Sequence, residues 1–432
     1  MRRVRIGGLM VLLCAIVVIA YPRPQTHSRA GAATRPIQHI IFIVKENRSF
    51  DSYFGSFPGV DGATTGKVKV HGVVRTIPLN PLTDSEPNYT HQFGPAKIDY
   101  DNGAMDAFNL GETGGNGRAS CTAPPYPCYV EGIQSVIPNY WALAQHFVLN
   151  DRAFTSLRGP SFPNHLYTVA GGSGPSLNKS AISNPNDSAW NCNSIAGTTV
   201  QLYDKTKVFP CFTFSTLADE MTTARVSWKF YGPGPTDKAD HFDSLKAFQQ
   251  DVKSANIVPT SQFVTDAQAG KLPAFSWIIA PYAADEHPVQ TSCKGENWTV
   301  QQLNALEQGP DWSSSAMFLT WDDYGGFYDH VAPQNVDALG LGFRAPFLAI
   351  SPYAFAGNNP ANPHVSHDVI EFSSVLKFAE ETFGLSSLGR RDVTAGDVAG
   401  MFDYSSVHNT PLVLQHRTCG PSMLKSTSDE ID

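Results

Sequence analysis

The stretch FLTWDDYGGFYDHVAP, residues 318–333, places two adjacent carboxylates directly after an apolar run. Asp322 and Asp323 point to opposite sides of an extended chain, and neighbouring carboxylates repel each other unless a cation lies between them. Gly325 and Gly326 allow the backbone to approach closely. The stretch therefore predicts a metal site at a strand end, with both aspartates as ligands. The alternative, a solvated acidic turn, is disfavoured by the apolar run.

Other short apolar runs of similar composition also end in polar or Gly-rich segments: HIIFIVKENRSFD, ARVSWKFYGPG, PAFSWIIAPY and APFLAISPYA. Each has the length and the β-branched or aromatic content of a buried strand. Because the runs are apolar on both faces, they predict an α/β fold with a mostly parallel sheet covered by helices. Ligands of such sheets bind beyond the carboxyl ends of the strands, where these polar clusters lie.

Helical spacing is clearest in HDVIEFSSVLKFAEETFGL, residues 367–385, where Gly384 provides a stop. Residues 67–138 and 171–208 are rich in Gly, Pro, Asn and Ser, which predicts long loops or insertions of the kind that line active sites. No linker separates a second domain. Residues 33–432 are therefore interpreted as one domain.

The 432 residues are 42% hydrophobic and 16% charged, which is typical of a folded chain with a sizeable core. The net charge of −8 argues against a nucleic-acid partner. Residues 1–32 combine three arginines within the first eight residues, MRRVRIGG, a short apolar run and the Ala30-Gly31-Ala32 sequence. This predicts a signal peptide and a secreted or cell-envelope protein, with an uncleaved N-terminal anchor as the alternative.

Six cysteines follow the predicted signal, and an even number in an exported protein suggests disulfides. Proximity in sequence favours Cys121–Cys128 and Cys192–Cys211, which leaves Cys293–Cys419. Six cysteines allow about 15 connectivities, so other pairings stay open.

The first polar cluster after a predicted strand is KENRSFDSYFG, in which Glu46 and Asn47 offer two hard oxygen ligands. Alternatively, Glu46 is an exposed surface acid and Asn47 is an ordinary turn residue. In LRGPSFPNHLYTVAGG, Ser161 lies between Gly159-Pro160 and Pro163, a rigid setting suited to a nucleophile that a metal could activate. An ordinary serine in a Pro-rich turn is the alternative.

The histidines are weaker candidates, since a lone histidine is more often structural. His287, in DEHP, could act as a general acid or orient an oxyanion. His91, His165 and His330 are further candidates.

Together, ENRSFD, PGVDG, GPSFPNHLY, EHP and TWDDYGGFYDHV resemble the bacterial phosphoesterase family, from about His39 to Leu385. This family contains phosphocholine-preferring phospholipases C and secreted acid phosphatases. It belongs to the alkaline phosphatase superfamily, so the resemblance implies a three-layer α/β/α sandwich with a mostly parallel, alkaline-phosphatase-like sheet.

The resemblance implies one or more divalent metal ions bound by Glu46, Asn47, Ser161, Asp322 and Asp323. It implies Ser161 as nucleophile, with His91, His287 and His330 as further catalytic residues. Asn164 and His165, in the same motif as Ser161, are assigned to substrate binding. At Ser161 and Asp323 the chain resembles the acid phosphatases better, because family phospholipases usually have Thr and Glu there. The neighbouring sulfatase pattern S/C-x-P-x-R is nearly matched, with His165 in place of Arg.

The expected function is a secreted, metal-dependent phosphoesterase, with phospholipase C acting on phospholipid head groups, at a membrane surface, as the leading hypothesis. An acid phosphatase acting on monoesters is the alternative within the class. A non-catalytic secreted binding protein is the alternative from another class. The expected mechanism is a two-step displacement through a phosphoseryl intermediate, in which His287 protonates the leaving alcohol.

Overall fold

Strands and helices alternate along the structure, a computed structural model that describes residues 35–115, 117–357 and 363–420. Numbered along the chain, the strands are β1 (His39–Lys45), β2 (Thr65–Val70), β3 (Val73–Pro78), β4 (Asn80–Pro81), β5 (Val130–Glu131), β6 (Val148–Asn150), β7 (Val200–Gln201), β8 (Lys207–Val208), β9 (Trp228–Gly232), β10 (Ile257–Pro259), β11 (Phe275–Ile279), β12 (Ser315–Trp321), β13 (Phe347–Ile350) and β14 (His364–Ser366). The α-helices are α1 (Phe50–Phe54), α2 (Phe93–Tyr100), α3 (Phe108–Gly111), α4 (Pro138–His146), α5 (Ser161–Ala170), α6 (Leu217–Ala224), α7 (Gln262–Gln268), α8 (Ser292–Glu307) and α9 (Phe372–Phe383).

Eight of these strands form the central sheet, in the order β10-β9-β11-β1-β12-β13-β6-β14. All its neighbours are parallel except β13, which runs antiparallel to both β12 and β6. Strands β1 and β12 pair in register from His39 opposite Ser315 to Lys45 opposite Trp321. Their carboxyl ends therefore meet at one edge of the sheet, which places the residues that follow them side by side.

Helices cover both faces of the sheet. Successive side chains of a strand point to opposite faces, so Phe318 and Trp321 of β12 lie on different sides. Phe318 packs edge-on against Phe378 of α9, with ring centroids 5.6 Å apart. Trp321 packs against Tyr140 of α4 at 5.3 Å. The predicted sandwich, with a mostly parallel sheet between two helical layers, is thus confirmed.

The five apolar runs predicted as strands correspond to β1, β9, β11, β12 and β13. The predicted helix at 367–385 is shorter in the structure. Helix α9 begins at Phe372, with Glu371 as its N-cap, and four residues separate Glu371 from the end of β14 at Ser366. Gly384 ends α9 in a left-handed conformation, as expected for a stop. Residues 67–138 are not all loop, since they contain the β2–β3 hairpin and helices α2 and α3.

Three disulfides link Cys121–Cys128, Cys192–Cys211 and Cys293–Cys419, so the predicted pairing is confirmed. The elements described above belong to one compact unit, which begins at Pro36. The predicted signal peptide or anchor, residues 1–32, lies outside the described residues. Among the helices that the structure describes, none is long and apolar enough to cross a membrane.

Candidate active site and metal centre

The carboxyl ends of β1 and β12 bring the two predicted ligand pairs together. The amide of Asp322 donates to the Lys45 carbonyl at 2.9 Å, which continues the strand pairing by one residue. Asn47 then turns away with a positive φ of 59°, and its amide donates to Asp322 Oδ1 at 2.9 Å. Arg48 fixes this strained residue by donating to the Asn47 carbonyl at 2.7 Å. Glu46, Asn47, Asp322 and Asp323 are all fully buried.

Gly325 shows why the loop after β12 needs glycine. Its φ is +63°, and a Cβ there would lie 2.8 Å from Asn47. Its amide donates to Asp323 Oδ1 at 2.7 Å, which holds this carboxylate in place. The glycine therefore lets the β12 loop approach the β1 loop closely enough to align their carboxylates.

Ser161 is the first residue of α5 and lies beside the same group of carboxylates. Its hydroxyl donates to Asp323 Oδ2 at 3.2 Å, and the side chain is fully buried. The start of a helix favours negative charge, because the peptide dipoles point their positive end there. Negative charge on the Ser161 oxygen would therefore be stabilised by its position, as the predicted nucleophile role requires.

The Asn164 side chain is hydrogen-bonded to the backbone before Ser161. It accepts from the Leu157 amide and donates to the carbonyls of Leu157, Gly159 and Pro160, at 3.0 to 3.2 Å. The amide group is thereby engaged with the backbone that leads into α5. Asn164 fixes the loop that carries Ser161, and substrate binding by this residue stays a prediction without a contact to support it.

His165 lies among the predicted metal ligands. One helical turn after Ser161, its Nε2 is 3.0 Å from Glu46 Oε1 and 3.8 Å from Asp322 Oδ2. Glu46, His165 and Asp322 can each offer one ligand atom within 4.8 Å of the others. Sequence reasoning assigned this histidine to substrate binding, and the i, i+4 spacing from Ser161 was the signal that could have indicated a ligand.

His91 lies beside Asp323, and His287 lies beside His91. His91 Nε2 is 3.9 Å from Asp323 Oδ2 and 3.4 Å from the side-chain nitrogen of Asn47, Nδ2. The other ring nitrogen, Nδ1, contacts the Tyr89 carbonyl at 2.9 Å. The His287 ring is 6.4 Å from that of His91. Insertion 67–138 therefore contributes His91 to the site, beside Asp323.

His330 lies in a second cluster. Its Nδ1 is 2.7 Å from Asp51 and its Nε2 is 3.1 Å from Asp61, while Arg344 pairs with Asp51 and Asp329. Burial lowers the pKa of His330, but the hydrogen bond and charge of Asp51 outweigh it and raise this pKa to about 9. His330 is therefore a cation in an ion-pair network, and its predicted catalytic role has no supporting contact with the Ser161 group.

The residues at the strand ends fit a hard divalent cation. Three buried carboxylates at this site, Glu46, Asp322 and Asp323, repel one another unless a positive charge lies between them. Asn47 Oδ1 and Asp322 Oδ2 are buried, and neither has a hydrogen-bond partner among the described residues. A buried oxygen atom without a hydrogen bond raises the free energy of the folded state. A metal ion bound here would coordinate both oxygen atoms.

Glu286 connects the strand ends below the site. Its carboxylate accepts from Tyr53 at 2.7 Å and from the Trp321 indole at 3.1 Å, and it pairs with the Lys45 ammonium at 3.1 Å. Lys45 precedes Glu46, Trp321 precedes Asp322, and Glu286 itself precedes His287. Sequence reasoning missed this residue, because its partners lie far away along the chain.

Comparison with known families places the chain: residues 37–386 match the Phosphoesterase family, and the chain belongs to it. The predicted family is thereby confirmed, and with it the class, an enzyme that hydrolyses phosphate esters. The chain is 27% identical to hemolytic phospholipase C of Pseudomonas aeruginosa, over 87% of this chain and 57% of that protein. It is 26% identical to phospholipase C A of Mycobacterium tuberculosis, over 92% of this chain and 84% of that protein.

A plant relative is the non-specific phospholipase C1 of Arabidopsis thaliana, 28% identical over 91% of this chain and 76% of that protein. Among solved structures, a protein of the alkaline phosphatase superfamily from Vibrio parahaemolyticus is 10% identical, with a TM-score of 0.35 over 83% of this chain and 70% of that chain.

Proposed function

We propose that this protein is a metal-dependent phosphoesterase of the phospholipase C type, which cleaves phosphodiesters of phospholipids with Ser161 as nucleophile. The observation that carries the proposal is the Ser161 hydroxyl, buried at the start of α5 and 3.2 Å from Asp323 at the edge of the buried carboxylate group. The relatives named phospholipase C support the substrate class, since they match along most of this chain. The three disulfides support an extracytoplasmic location.

Glu46, Asn47, Asp322 and Asp323, together with His165, would hold the metal. When bound, a divalent cation would lower the pKa of the Ser161 hydroxyl and offset charge on the phosphoryl oxygens. After its proton has passed to water, the Ser161 oxygen bonds to phosphorus as the bond to the leaving alcohol breaks, and His287 gives the alcohol its proton. A water molecule then gives a proton to His287 and attacks the phosphoseryl group, and the bond from phosphorus to the Ser161 oxygen breaks. His91 donates to a phosphoryl oxygen from its position beside Asp323.

The test is an assay on p-nitrophenyl phosphorylcholine and p-nitrophenyl phosphate, with and without a chelator. Native protein is expected to cleave the diester faster, and the chelator is expected to abolish cleavage. Preference for the monoester would instead identify an acid phosphatase, the function that Ser161 and Asp323 favour by their resemblance.

Ser161→Ala is expected to reduce turnover by about 10³-fold or more, because the covalent step is lost. Ser276→Ala is the matched control, since Ser276 is also fully buried but lies on β11. Full activity of the Ser161→Ala protein would contradict the mechanism. Metal binding with no activity on either ester would favour a binding protein.

A further inference from the structure

An apolar groove of about 470 Å³ lies in the insertion that follows α5. Its walls include Leu202, Val208, Phe209, Phe212 and Phe214. Aromatic and aliphatic walls favour an apolar occupant such as a hydrocarbon chain over a polar one.

Large apolar side chains are exposed around this groove. Phe209 in its wall is 37% exposed, and Leu177, two residues after the wall residue Pro175, is 38% exposed. Ile195 is 70% exposed in the loop that the Cys192–Cys211 disulfide joins to the groove. Exposed apolar residues beside an apolar groove are typical of a surface that contacts a partner.

Cations accompany these apolar residues, although the whole chain carries a net charge of −8. Residues 175–214 contain three lysines and two aspartates. Lys179 lines the groove and pairs with Asp204 at 2.6 Å, while Lys205 and Lys207 are exposed. This local excess of positive charge is complementary to the phosphates of a lipid surface.

Arg390 adds a cation next to the groove. Its guanidinium lies 4.8 Å from the Phe214 ring, and it donates to the carbonyls of Ala170 and Ser215 at 3.0 Å. Arg390 also lines a polar cavity of about 320 Å³, which shares Pro175 with the apolar groove. The charged walls of that cavity are Arg390, Arg391 and Asp337, and Arg391 pairs with Asp337 at 2.7 Å, which leaves Arg390 as its net positive charge. A hydrocarbon groove beside this cation matches an amphiphile with an anionic head.

The groove is also close to the nucleophile. Phe162, the residue after Ser161, stacks on Phe212 of the groove wall with ring centroids 6.3 Å apart. The Phe162 amide donates to Asn184, in the same insertion, at 2.9 Å. A molecule held in the groove is therefore anchored beside the segment that begins α5.

We infer that residues 175–214 and Arg390 form a docking surface for a phospholipid bilayer. One lipid of that bilayer inserts an acyl chain into the apolar groove and places its phosphate at Arg390, while a neighbouring lipid presents its ester to Ser161. The inference rests on the proposed function, because it names the surface that brings this site to a lipid substrate.

The test is sedimentation of the full-length protein with sucrose-loaded vesicles of phosphatidylcholine and phosphatidylglycerol. Native protein is expected to bind, and the double variant Leu177→Ser/Phe209→Ser is expected to bind at least about tenfold more weakly, because two exposed apolar anchors are lost. Arg390→Gln is expected to weaken binding to vesicles rich in phosphatidylglycerol more than to pure phosphatidylcholine.

The matched control is Val73→Ser/Val74→Ser, which removes side chains 57% and 44% exposed on the β3 strand. Its vesicle binding should equal that of native protein. Equal binding by native protein and the Leu177→Ser/Phe209→Ser variant, or no vesicle binding by native protein, would overturn the inference.

Hydrolysis of the soluble ester p-nitrophenyl phosphorylcholine separates this inference from the proposed function. The Leu177→Ser/Phe209→Ser variant should keep native turnover of that ester while losing turnover of vesicle lipids. A variant that loses both activities equally would argue against a docking role. Native protein inactive on the soluble ester would overturn the proposed function, and the sedimentation result would still decide whether the surface binds lipid.

Discussion

Lys45 and Glu286 form an ion pair of 3.1 Å in which both side chains are fully buried. Burial lowers the pKa of Lys45, and the charge and hydrogen bond of Glu286 oppose that shift. Lys45 directly precedes Glu46, and Glu286 directly precedes His287. The pair therefore fixes two loops that meet at the strand ends, although 241 positions separate its members.

Glu286→Gln is expected to lower divalent-metal affinity by about 10- to 100-fold, because the residues before Glu46 and Asp322 lose the charge that holds them. Isothermal titration of metal-free protein with Mn²⁺ measures this without any substrate. The variant is also expected to be less stable, since Lys45 is left without its carboxylate partner.

Glu296→Gln is the matched control for that experiment. Glu296 is also buried, and it accepts from the amides of Asn139 and Tyr140 at the start of α4, at 2.9 and 3.0 Å. It should lose stability and keep metal affinity. Equal loss of metal affinity in both variants would show that Glu286 acts only through general stability.

Bound metal is expected to raise the free energy of unfolding, because the buried carboxylates repel one another without it. At a free metal concentration 100 times the Kd, the increase would be about 2.7 kcal/mol. Urea unfolding with and without a chelator measures it, using Mg²⁺, Ca²⁺, Mn²⁺ and Zn²⁺ in turn.

Asp322→Asn should abolish this stabilisation by metal. Asp243→Asn should retain it, since Asp243 is a buried carboxylate that pairs with Lys246 and is not one of the proposed ligands. Burial raises the pKa of Asp243 to about 7. Stability that is independent of every cation in native protein would contradict the metal centre.

The His330 network predicts a loss of stability at alkaline pH. Burial lowers the pKa of His330, and Asp51 more than compensates, so the folded value is about 9 against about 6.5 in an unfolded chain. The contribution of the His330 charge to the free energy of unfolding is therefore fully present below about pH 6.5 and is lost as pH rises through 9.

Urea unfolding at pH 6, 7.5 and 9.5 should show a smaller decline for His330→Asn than for native protein. His71→Asn is the control, because His71 is exposed and has a positive φ of 50° that asparagine tolerates. Parallel pH curves for native protein and His330→Asn would show that the network does not depend on the His330 charge.

The Cys293–Cys419 disulfide joins α8 to a segment near the end of the described chain, across 126 residues. In the chain-entropy description, a loop of this length contributes about 5 kcal/mol, against about 2 kcal/mol for the seven-residue separation of Cys121–Cys128. Replacing both cysteines by alanine in each pair, followed by urea unfolding, should reproduce that order. A larger loss from the short loop would contradict it.

The sequence by itself predicted five strands of the central sheet, the grouping of two pairs of polar residues at the strand ends, and the favoured disulfide pairing. Apolar runs identify buried strands because the local period and the β-branched content depend only on neighbouring residues. Glu46-Asn47 and Asp322-Asp323 were predicted as one group because parallel strands end at a common edge, and the register of β1 with β12 places them together.

Only the tertiary structure decided how distant residues share the site. His165 reaches Glu46 because α5 packs beside the end of β1, and Glu286 reaches Lys45 because the loop after β11 lies next to that strand. The antiparallel direction of β13 and the separation of His330 into its own network were decided in the same way. These contacts depend on strand order and on long-range packing, which no local period in the chain encodes.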